Sequence, residues 1–305
     1  MIKPALLVCD LDNTLYDWVS YFVSSFYAMV DTTVDLLGCD RETLLNDLRA
    51  VHQRHHDSEH PFSLLETDTI IRYLPDKTSA ELVRILNPAF HAFNSSRKKT
   101  LESYPDVHNT LRSLENNGVI LIAHTESTLL AAADRLRRLN LSQYFSRIYC
   151  RVRTSSKPPA GINTARWLED FPMEKVVELS HHQRKPDSTV LLEICADIGV
   201  VPSQAAYIGD SMARDVLMAN NADVFAIWAA YGSRHGKNDY EKLVRVSHWS
   251  SEDVAREKNL MVQAQHVKPD YIAEHGLCDL LELFSIKTEG STSPHLKQPF
   301  KLIAN

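Results

Sequence analysis

The chain has 305 residues, 44% of them hydrophobic, so it is long enough to bury a full core and to form two domains or one large domain with an insertion. Its formal net charge of −6 leaves no basic excess for a phosphate backbone, and we expect no nucleic-acid partner. No run of about 18 uncharged apolar residues occurs, and the 5 cysteines form no CxxC pair. We therefore expect no membrane contact and a cytoplasmic location.

Short apolar runs alternate with longer segments of helical period along most of the chain. This pattern is typical of a parallel sheet covered by helices on both faces. The predicted strands are residues 5–9, 119–123, 147–150, 205–208, 224–228 and 270–272. The predicted helices between and after them are residues 107–116, 127–139, 163–170, 188–198, 213–220 and 277–284. The fold class is predicted to be α/β, with a Rossmann-like, doubly wound parallel sheet.

Residues 16–103 interrupt this alternation, because they contain no strand pattern. Amphipathic stretches predict cap helices at 19–37, 41–55 and 79–93. We therefore expect an inserted α-helical cap at 16–103, a core formed by 1–15 and 104–286, and a C-terminal extension at 287–305. Two polar stretches, 154–161 and 233–267, are longer than ordinary connections and have no assigned role.

The first predicted strand ends in two aspartates, Asp10 and Asp12, separated only by Leu11. Alternation along an extended segment points both carboxylates to the same side. Such a pair repels unless a cation joins it or one member takes up a proton. One carboxylate held against Mg²⁺ can then attack phosphorus, while a protonated neighbour donates to the leaving oxygen. The alternative is a strand-end turn in which DLDN provides local caps.

Three further segments place polar residues after apolar strands. Thr125 precedes a predicted helix whose first amides can hold an anion, or else it is the N-cap of that helix. Lys185 lies before a proline predicted to begin a helix, where it either neutralises a phosphate and the nucleophile together or is solvated. Gly209 permits close backbone approach, and Asp210 with Asp215 can complete an oxygen shell for a hard cation.

Taken in order, the segments DLDNT, HTES, RKP and GDSMARD resemble the four sequence motifs of the haloacid dehalogenase-like superfamily. The helical stretch after the first motif resembles its C1-type cap. The resemblance spans roughly residues 5–228 and implies a Rossmann-like core under a mobile helical lid, whose closure excludes water and sets specificity.

The resemblance also implies roles for individual residues. Asp10 would be the nucleophile that becomes an aspartyl phosphate. Asp12 would be the general acid that protonates the leaving group, and it would then activate water. Thr14 would support the loop of the first motif, while Thr125 and Lys185 would hold the phosphoryl oxygens.

Mg²⁺ is the cofactor that the resemblance implies. Its ligands would be Asp10, the main-chain carbonyl of Asp12, and Asp210, with Asp215 supporting or ligating the metal. From its position beside Lys185, Arg184 is a candidate phosphate neighbour, and the alternative is an exposed loop residue.

One residue departs from the motif pattern: many relatives have Asn after the second-motif Thr or Ser, whereas this chain has Glu126. An anionic side chain near a phosphate is unfavourable unless it faces helix amides, a cation or a basic part of the substrate. We expect activity to persist with an unusual substrate pocket.

The carboxylate of Asp12 separates subclasses, because the dehalogenases and phosphonatases of this superfamily lack one there. We therefore expect a Mg²⁺-dependent phosphomonoester hydrolase that acts on a small phosphorylated metabolite. One alternative is a phosphomutase that uses the same residues, and another is a catalytically weak protein of this fold that binds a partner. The sequence leaves the substrate and the oligomeric state open.

A histidine-rich stretch lies at 51–62 within the predicted cap. One interpretation is that residues 54–62 meet the substrate when the lid closes, and the other is a solvated turn between cap helices. A dedicated zinc site at His52, His55, His56, Asp57 and His60 is the least favoured interpretation, because structural zinc prefers closed ligand sets that often include Cys.

Overall fold

The computed structural model describes residues 3–152, 168–180, 182–234 and 236–286. Its strands are β1 Leu6–Cys9, β2 Ile120–Thr128, β3 Arg147–Arg151, β4 Val176–Leu179, β5 Ala205–Gly209, β6 Phe225–Ala229 and β7 Tyr271–Ala273. They pair in parallel in the order β4-β3-β2-β1-β5-β6-β7. The predicted α/β class with a Rossmann-like sheet is confirmed.

Helices occupy the segments between the strands. They are α1 Trp18–Leu37, α2 Arg41–His55, α3 Asp68–Tyr73, α4 Ser79–Ile85, α5 Asn87–Thr100, α6 Val107–Asn116, α7 Leu129–Arg138, α8 Ser188–Ile198, α9 Leu217–Asn221, α10 Lys237–Val246, α11 Ser251–Gln263 and α12 Asp279–Leu283. Among the helices that the structure describes, none is both long and apolar enough to span a bilayer.

The central strand β1 is buried on both faces of the sheet. Leu7 and Cys9 join the core formed with α6, α7 and α12, while Leu6 and Val8 join the core formed with α8 and α9. This explains why β1 reads as a continuous apolar run. The strand order reverses at β1, since β2 lies on one side and β5 on the other. In such sheets, ligands bind outside the carboxyl ends of the strands at this switch point.

The helical segment that follows β1, Trp18–Thr100 with α1 to α5, is called the helical insertion below. The chain enters and leaves it along paired backbone, since Tyr16 pairs antiparallel with Ser103. The predicted single helix at 79–93 is wrong, because α4 ends at Ile85 and α5 begins at Asn87. Pro88 lies in the first turn of α5, where its missing N–H does no harm, whereas inside a continuous helix it would break a hydrogen bond.

The polar stretch after β6, to which the sequence assigned no role, forms α10 and α11. Helix α10 packs against α1 and α2. Tyr27 Oη donates to the main-chain oxygen of Lys242 at 3.1 Å, and Nδ1 of the buried His52 lies 2.6 Å from that of Val246. The segment that follows β6 therefore packs against the helical insertion through α10.

Two strands differ from the prediction. The short edge strand β4 was not predicted, because Val176, Val177 and Glu178 are not fully buried and give no strong apolar signal. Strand β2 continues to Thr128, with a register irregularity after His124.

Several predicted helix bounds also change. The helix predicted at 127–139 begins at Leu129 and ends at Arg138, because β2 continues further than expected. The helix predicted at 213–220 is a π-helical turn, Met212–Val216, followed by α9, and the last helix is shorter than predicted. The predicted helix at 163–170 lies largely outside the described residues, and so do the stretches 154–161 and 287–305.

Candidate active site

A buried carboxylate lies at the centre of the candidate site. Asp10 follows β1 and is 6% exposed. Thr14 Oγ1 donates to its Oδ2 at 3.0 Å, and Lys185 Nζ forms an ion pair with its Oδ1. Lys185 also lies 2.8 Å from Asp215 Oδ1. Because Lys185 is 5% exposed, the alternative of a solvated loop lysine is wrong.

Three carboxylates from the segments that follow β1 and β5 form an acidic cluster beside this lysine. Oxygens of Asp10, Asp210 and Asp215 all lie within 4.8 Å of one another. Gly209 makes this close packing possible, since a Cβ built there would lie 2.3 Å from Cγ of Asp215. The motif pattern assigned Asp12 to the metal through its main-chain carbonyl alone. The side-chain carboxylate of Asp12 does not belong to this acidic cluster.

Burial and mutual repulsion govern the charges of the acidic cluster. Burial raises the pKa of Asp10 to about 7, against the opposing attraction of Lys185. Burial, and then repulsion from Asp10 and Asp215, raises the pKa of Asp210 well above its usual value. Burial lowers the pKa of Lys185, yet the carboxylates of Asp10 and Asp215 outweigh it and raise that pKa well above its usual value.

This donor set fits a hard divalent cation. Three carboxylates lie close together beside one ammonium, and the raised pKa values of Asp10 and Asp210 reflect the cost of ionising them there. A divalent cation would offset this repulsion and favour the ionised forms. All available ligand atoms are oxygens, as Mg²⁺ requires. The residues that would hold such an ion are Asp10, Asp210 and Asp215.

Asp12 is held apart from the acidic cluster by a separate set of donors. Ser127 Oγ donates to its Oδ2 at 2.6 Å, and Arg135 Nη2 lies 3.2 Å from its carboxylate. Arg135 is 1% exposed and also donates from Nε to Tyr16 Oη at 3.0 Å. Its Nη1 contacts the carboxylate of Glu59 in the helical insertion. The two neighbouring aspartates therefore occupy different electrostatic environments.

Sequence analysis missed Arg135 and Glu59. In the stretch DRLRR, Arg135 is one of three closely spaced arginines, and the other two, Arg137 and Arg138, are exposed by more than a third. The helical period of α7 places 135 on the same face as the buried Ala132 and Leu136. The sequence signal that could have identified Arg135 is its position on the apolar face of a helix.

The second motif differs in detail from the prediction. Thr125 is 1% exposed and its Oγ1 accepts from the main-chain N–H of Ser127 at 3.1 Å. The alternative that Thr125 caps the next helix is wrong, because the N-cap position of α7 is Thr128. Glu126 forms an ion pair with Arg214 at 3.4 Å. An anionic side chain at this position is tolerated beside helix amides, a cation or a basic part of the substrate. The structure places Glu126 beside a cation, Arg214.

The third motif also differs in its helix start. The N-cap of α8 is Asp187, whose Oδ1 accepts from the N–H of Thr189 at 3.0 Å, so Pro186 precedes the helix rather than beginning it. The guanidinium of Arg256 donates to the main-chain oxygen of Lys185 at 3.2 Å. Arg184 is half-buried beside Lys185.

The histidine-rich stretch lies in the helical insertion. Nε2 atoms of His55 and His60 lie 2.7 and 2.8 Å from the two carboxylate oxygens of Glu66, and the two rings stack with centroids 3.6 Å apart. Arg54 also pairs with Glu66 at 2.9 Å. His52 instead faces α10. Glu66 therefore already has three basic partners, and contact between residues 54–62 and substrate stays a prediction.

Comparison with known proteins agrees with the motif pattern. The family model described as haloacid dehalogenase-like hydrolase matches residues 4–223, and a second, HAD-hydrolase-like model matches residues 182–275. The chain is 24% identical to a glyceraldehyde 3-phosphate phosphatase of Methanopyrus kandleri, over 74% of this chain and 83% of that protein. It is 28% identical to phosphoglycolate phosphatase 1 of Pseudomonas aeruginosa, over 77% of this chain and 72% of that protein.

A solved structure shows a similar fold. The structure of 2-haloacid dehalogenase from Pseudomonas syringae pv. Tomato DC3000 superposes with a TM-score of 0.52 and 20% identity, covering 93% of this chain and 99% of that one. At this level of identity the likeness concerns the fold alone.

Proposed function

This chain belongs to the haloacid dehalogenase-like hydrolase family, and we propose that it is a Mg²⁺-dependent phosphatase that hydrolyses a small phosphomonoester through Asp10. One observation carries the proposal: the buried Asp10 carboxylate lies between Lys185 and Thr14, while Asp12 is held apart by Arg135. Both curated relatives described above are phosphatases, which supports the same reaction.

The first step is nucleophilic attack by the Asp10 carboxylate on phosphorus. A bond forms between an Asp10 oxygen and phosphorus as the bond to the ester oxygen breaks, which gives an aspartyl phosphate and an alcohol. Thr14 fixes the orientation of the attacking carboxylate. Lys185 offsets the charge of Asp10 and of the incoming phosphoryl group. Thr125, two residues beyond the β2 residue that pairs with Cys9, would hold a phosphoryl oxygen.

Proton transfer in this scheme belongs to Asp12. Its protonated carboxyl group donates to the leaving ester oxygen, and the resulting carboxylate then takes a proton from the attacking water. Water releases inorganic phosphate and restores Asp10. Because Ser127 and Arg135 both donate to Asp12, its carboxylate keeps one orientation through both steps.

When bound, Mg²⁺ supplies positive charge that lowers the repulsion between the nucleophile and the phosphoryl oxygens. Asp10, Asp210 and Asp215 would hold it.

Phosphate release from a panel of phosphomonoesters, measured with Mg²⁺ and with excess EDTA, tests the proposal. We expect metal-dependent release from a few compounds and a loss of at least about a thousandfold in kcat for Asp10→Asn. Asp35→Asn, which changes an exposed carboxylate on α1, is the matched control and should keep full activity.

Two results would contradict the proposal. An active Asp10→Asn variant would exclude Asp10 as the nucleophile. Retention of a phosphorylated protein that requires a sugar bisphosphate for turnover would identify a phosphomutase instead.

A further inference from the structure

Two arginines lie at the same edge of the sheet as the candidate active site, and the reaction scheme does not use them. Arg151 is the last residue of β3, in register with Thr128 of β2 and Leu179 of β4. Arg184 directly precedes Lys185, whose Nζ pairs with Asp10. Both arginines therefore belong to the edge of the sheet at which Asp10 lies, on the side of β1 where β2, β3 and β4 are found.

The environment of these two guanidinium groups is unusual for buried cations. Arg151 is 8% exposed and Arg184 is half-buried. The Nε atoms of both are buried and have no hydrogen-bond partner, and no carboxylate within the described ranges forms an ion pair with either side chain. Buried charges are normally paired, because desolvation is costly without a compensating partner.

Neighbouring charges add to this imbalance. Burial, followed by repulsion from Arg184, lowers the pKa of Arg151. Burial lowers the pKa of His248, and both arginines add to that effect while Asp57 and Asp253 oppose it. Three basic groups, from β3, the loop after β4 and the segment after α10, therefore influence one another electrostatically.

The acidic groups that oppose these basic groups electrostatically come from β2, the helical insertion and α11. Each has another partner: Glu126 pairs with Arg214 at 3.4 Å, Asp57 accepts from the main-chain N–H of Glu59 at 2.9 Å, and Asp253 accepts from that of Ser250 at 3.0 Å. The acids reduce the positive potential around Arg151 and Arg184 without accepting a hydrogen bond from the buried Nε atom of either.

We propose that Arg151 and Arg184 form a second anion-binding subsite, which holds a carboxylate or a further phosphate of the substrate while its transferred phosphoryl group lies at Asp10. A guanidinium suits this task because its planar donors match the two oxygens of a carboxylate or phosphate. The inference rests on the proposed function and narrows the substrate to small phosphomonoesters that carry a second anionic group.

Matched substrate pairs test the subsite. 3-Phosphoglycerate and glycerol 3-phosphate differ by a carboxylate, and fructose 1,6-bisphosphate and fructose 6-phosphate differ by a phosphate. We expect kcat/KM to favour the doubly anionic member of one pair by at least about tenfold, since a site built for a polar group rejects the analogue that lacks it. Equal kcat/KM values within both pairs would overturn the proposal.

Variants that remove one positive charge test whether the preference for the doubly anionic substrate depends on Arg151 and Arg184. Arg151→Gln and Arg184→Gln should each reduce the ratio of kcat/KM values within the preferred pair by at least about tenfold. Arg184→Gln, at the less buried position, keeps the test available if Arg151→Gln does not fold. Arg72→Gln, at an exposed arginine of α3, should keep the ratio of the parent protein. A ratio unchanged in both subsite variants would contradict the assignment.

Binding measured without turnover separates this inference from the proposed function. Calorimetric titration of Asp10→Asn with the same compounds and Mg²⁺ should show tighter binding of the doubly anionic ligand, and the Arg151→Gln change should remove that difference. This result supports the subsite even if no phosphate is released, in which case only the proposed function fails. Phosphate release without any preference would leave the phosphatase standing and exclude the subsite.

Discussion

Arg135 Nη1 lies 2.6 and 2.7 Å from the two carboxylate oxygens of Glu59. Glu59 belongs to the helical insertion, whereas Arg135 belongs to α7 on the sheet. The other terminal nitrogen of the same guanidinium contacts Asp12 and Ser127, at 3.2 and 2.6 Å. One buried side chain therefore connects the helical insertion to the residue proposed as general acid and base.

Replacing Arg135 should impair the proposed proton transfer more than substrate binding. Arg135→Lys keeps the charge, but a single ammonium cannot reach Tyr16, Glu59 and Asp12 together. We expect kcat to fall at least about tenfold while KM changes less than about twofold, because Asp12 loses its fixed orientation. Steady-state kinetics on the best substrate from the panel would measure both constants.

Arg138→Lys on the same helix is the control, since Arg138 forms a surface ion pair with Asp134. It should match the parent protein in both constants. If Arg135→Lys kept the parent kcat, Asp12 would not depend on Arg135 for its position.

Gly209→Ala should displace Asp215. The new Cβ would lie 2.3 Å from Cγ and 2.4 Å from Oδ2 of Asp215, so that side chain must shift and its contact with Lys185 must change. We expect lower kcat and a loss of about 1–3 kcal/mol in the free energy of unfolding, as overpacking usually costs. Urea unfolding and phosphate release would measure the two effects.

The matched control is Gly236→Ala, where the nearest atom to the new Cβ is 3.7 Å away, at Asp239. That change should alter neither quantity appreciably. Equal behaviour of the two variants would show that close packing at Gly209 is not required.

His52 should make the protein less stable in mild acid. Burial lowers its pKa to about 4, from 6.5, and its Nδ1 lies 2.6 Å from the main-chain oxygen of Val246. Because the unfolded chain takes up a proton that the folded protein excludes, the free energy of unfolding falls as the pH drops from about 6.5 towards 4. Between pH 7 and pH 5 we expect His52 to contribute a loss of about 2 kcal/mol.

Urea unfolding at the two pH values would measure this contribution. His52→Gln should show a smaller loss between them than the parent protein, whereas His91→Gln, at an exposed histidine of α5, should show the same loss. A pH dependence unchanged by His52→Gln would exclude the buried neutral imidazole as its source.

Glu126→Gln should have a small effect on stability. The pair with Arg214 is 3.4 Å long and its side chains are 27% and 35% exposed, so we expect a change of less than about 1 kcal/mol in the free energy of unfolding. Loss of a negative charge beside Thr125 should lower KM for an anionic substrate by a few fold. Glu115→Gln, at an exposed position of α6, is the control for both measurements. An increase in KM would show that Glu126 binds a basic part of the substrate.

Some elements were predictable because their signals are local. Strands β1 and β5 are short apolar runs that end at polar residues, and parallel strands buried on both faces require that composition. The edge strand β4 gave no such signal, since only Leu179 in it is buried. Helices α10 and α11 were missed because their stretch is mostly polar. In the folded protein α10 packs against the helical insertion, and α11 packs against the π-helical turn Met212–Val216.

The sequence by itself determined the fold class, the family and the chemical character of the candidate site. Motif order along the chain sets which side chains follow the carboxyl ends of β1, β2 and β5, and parallel pairing brings those ends to one edge. Only the tertiary structure decided how the charge of Asp12 is compensated. Glu59 and Arg135, which meet beside it, are 76 positions apart. Such pairs are selected by desolvation and distance in the folded protein, and no local pattern encodes either quantity.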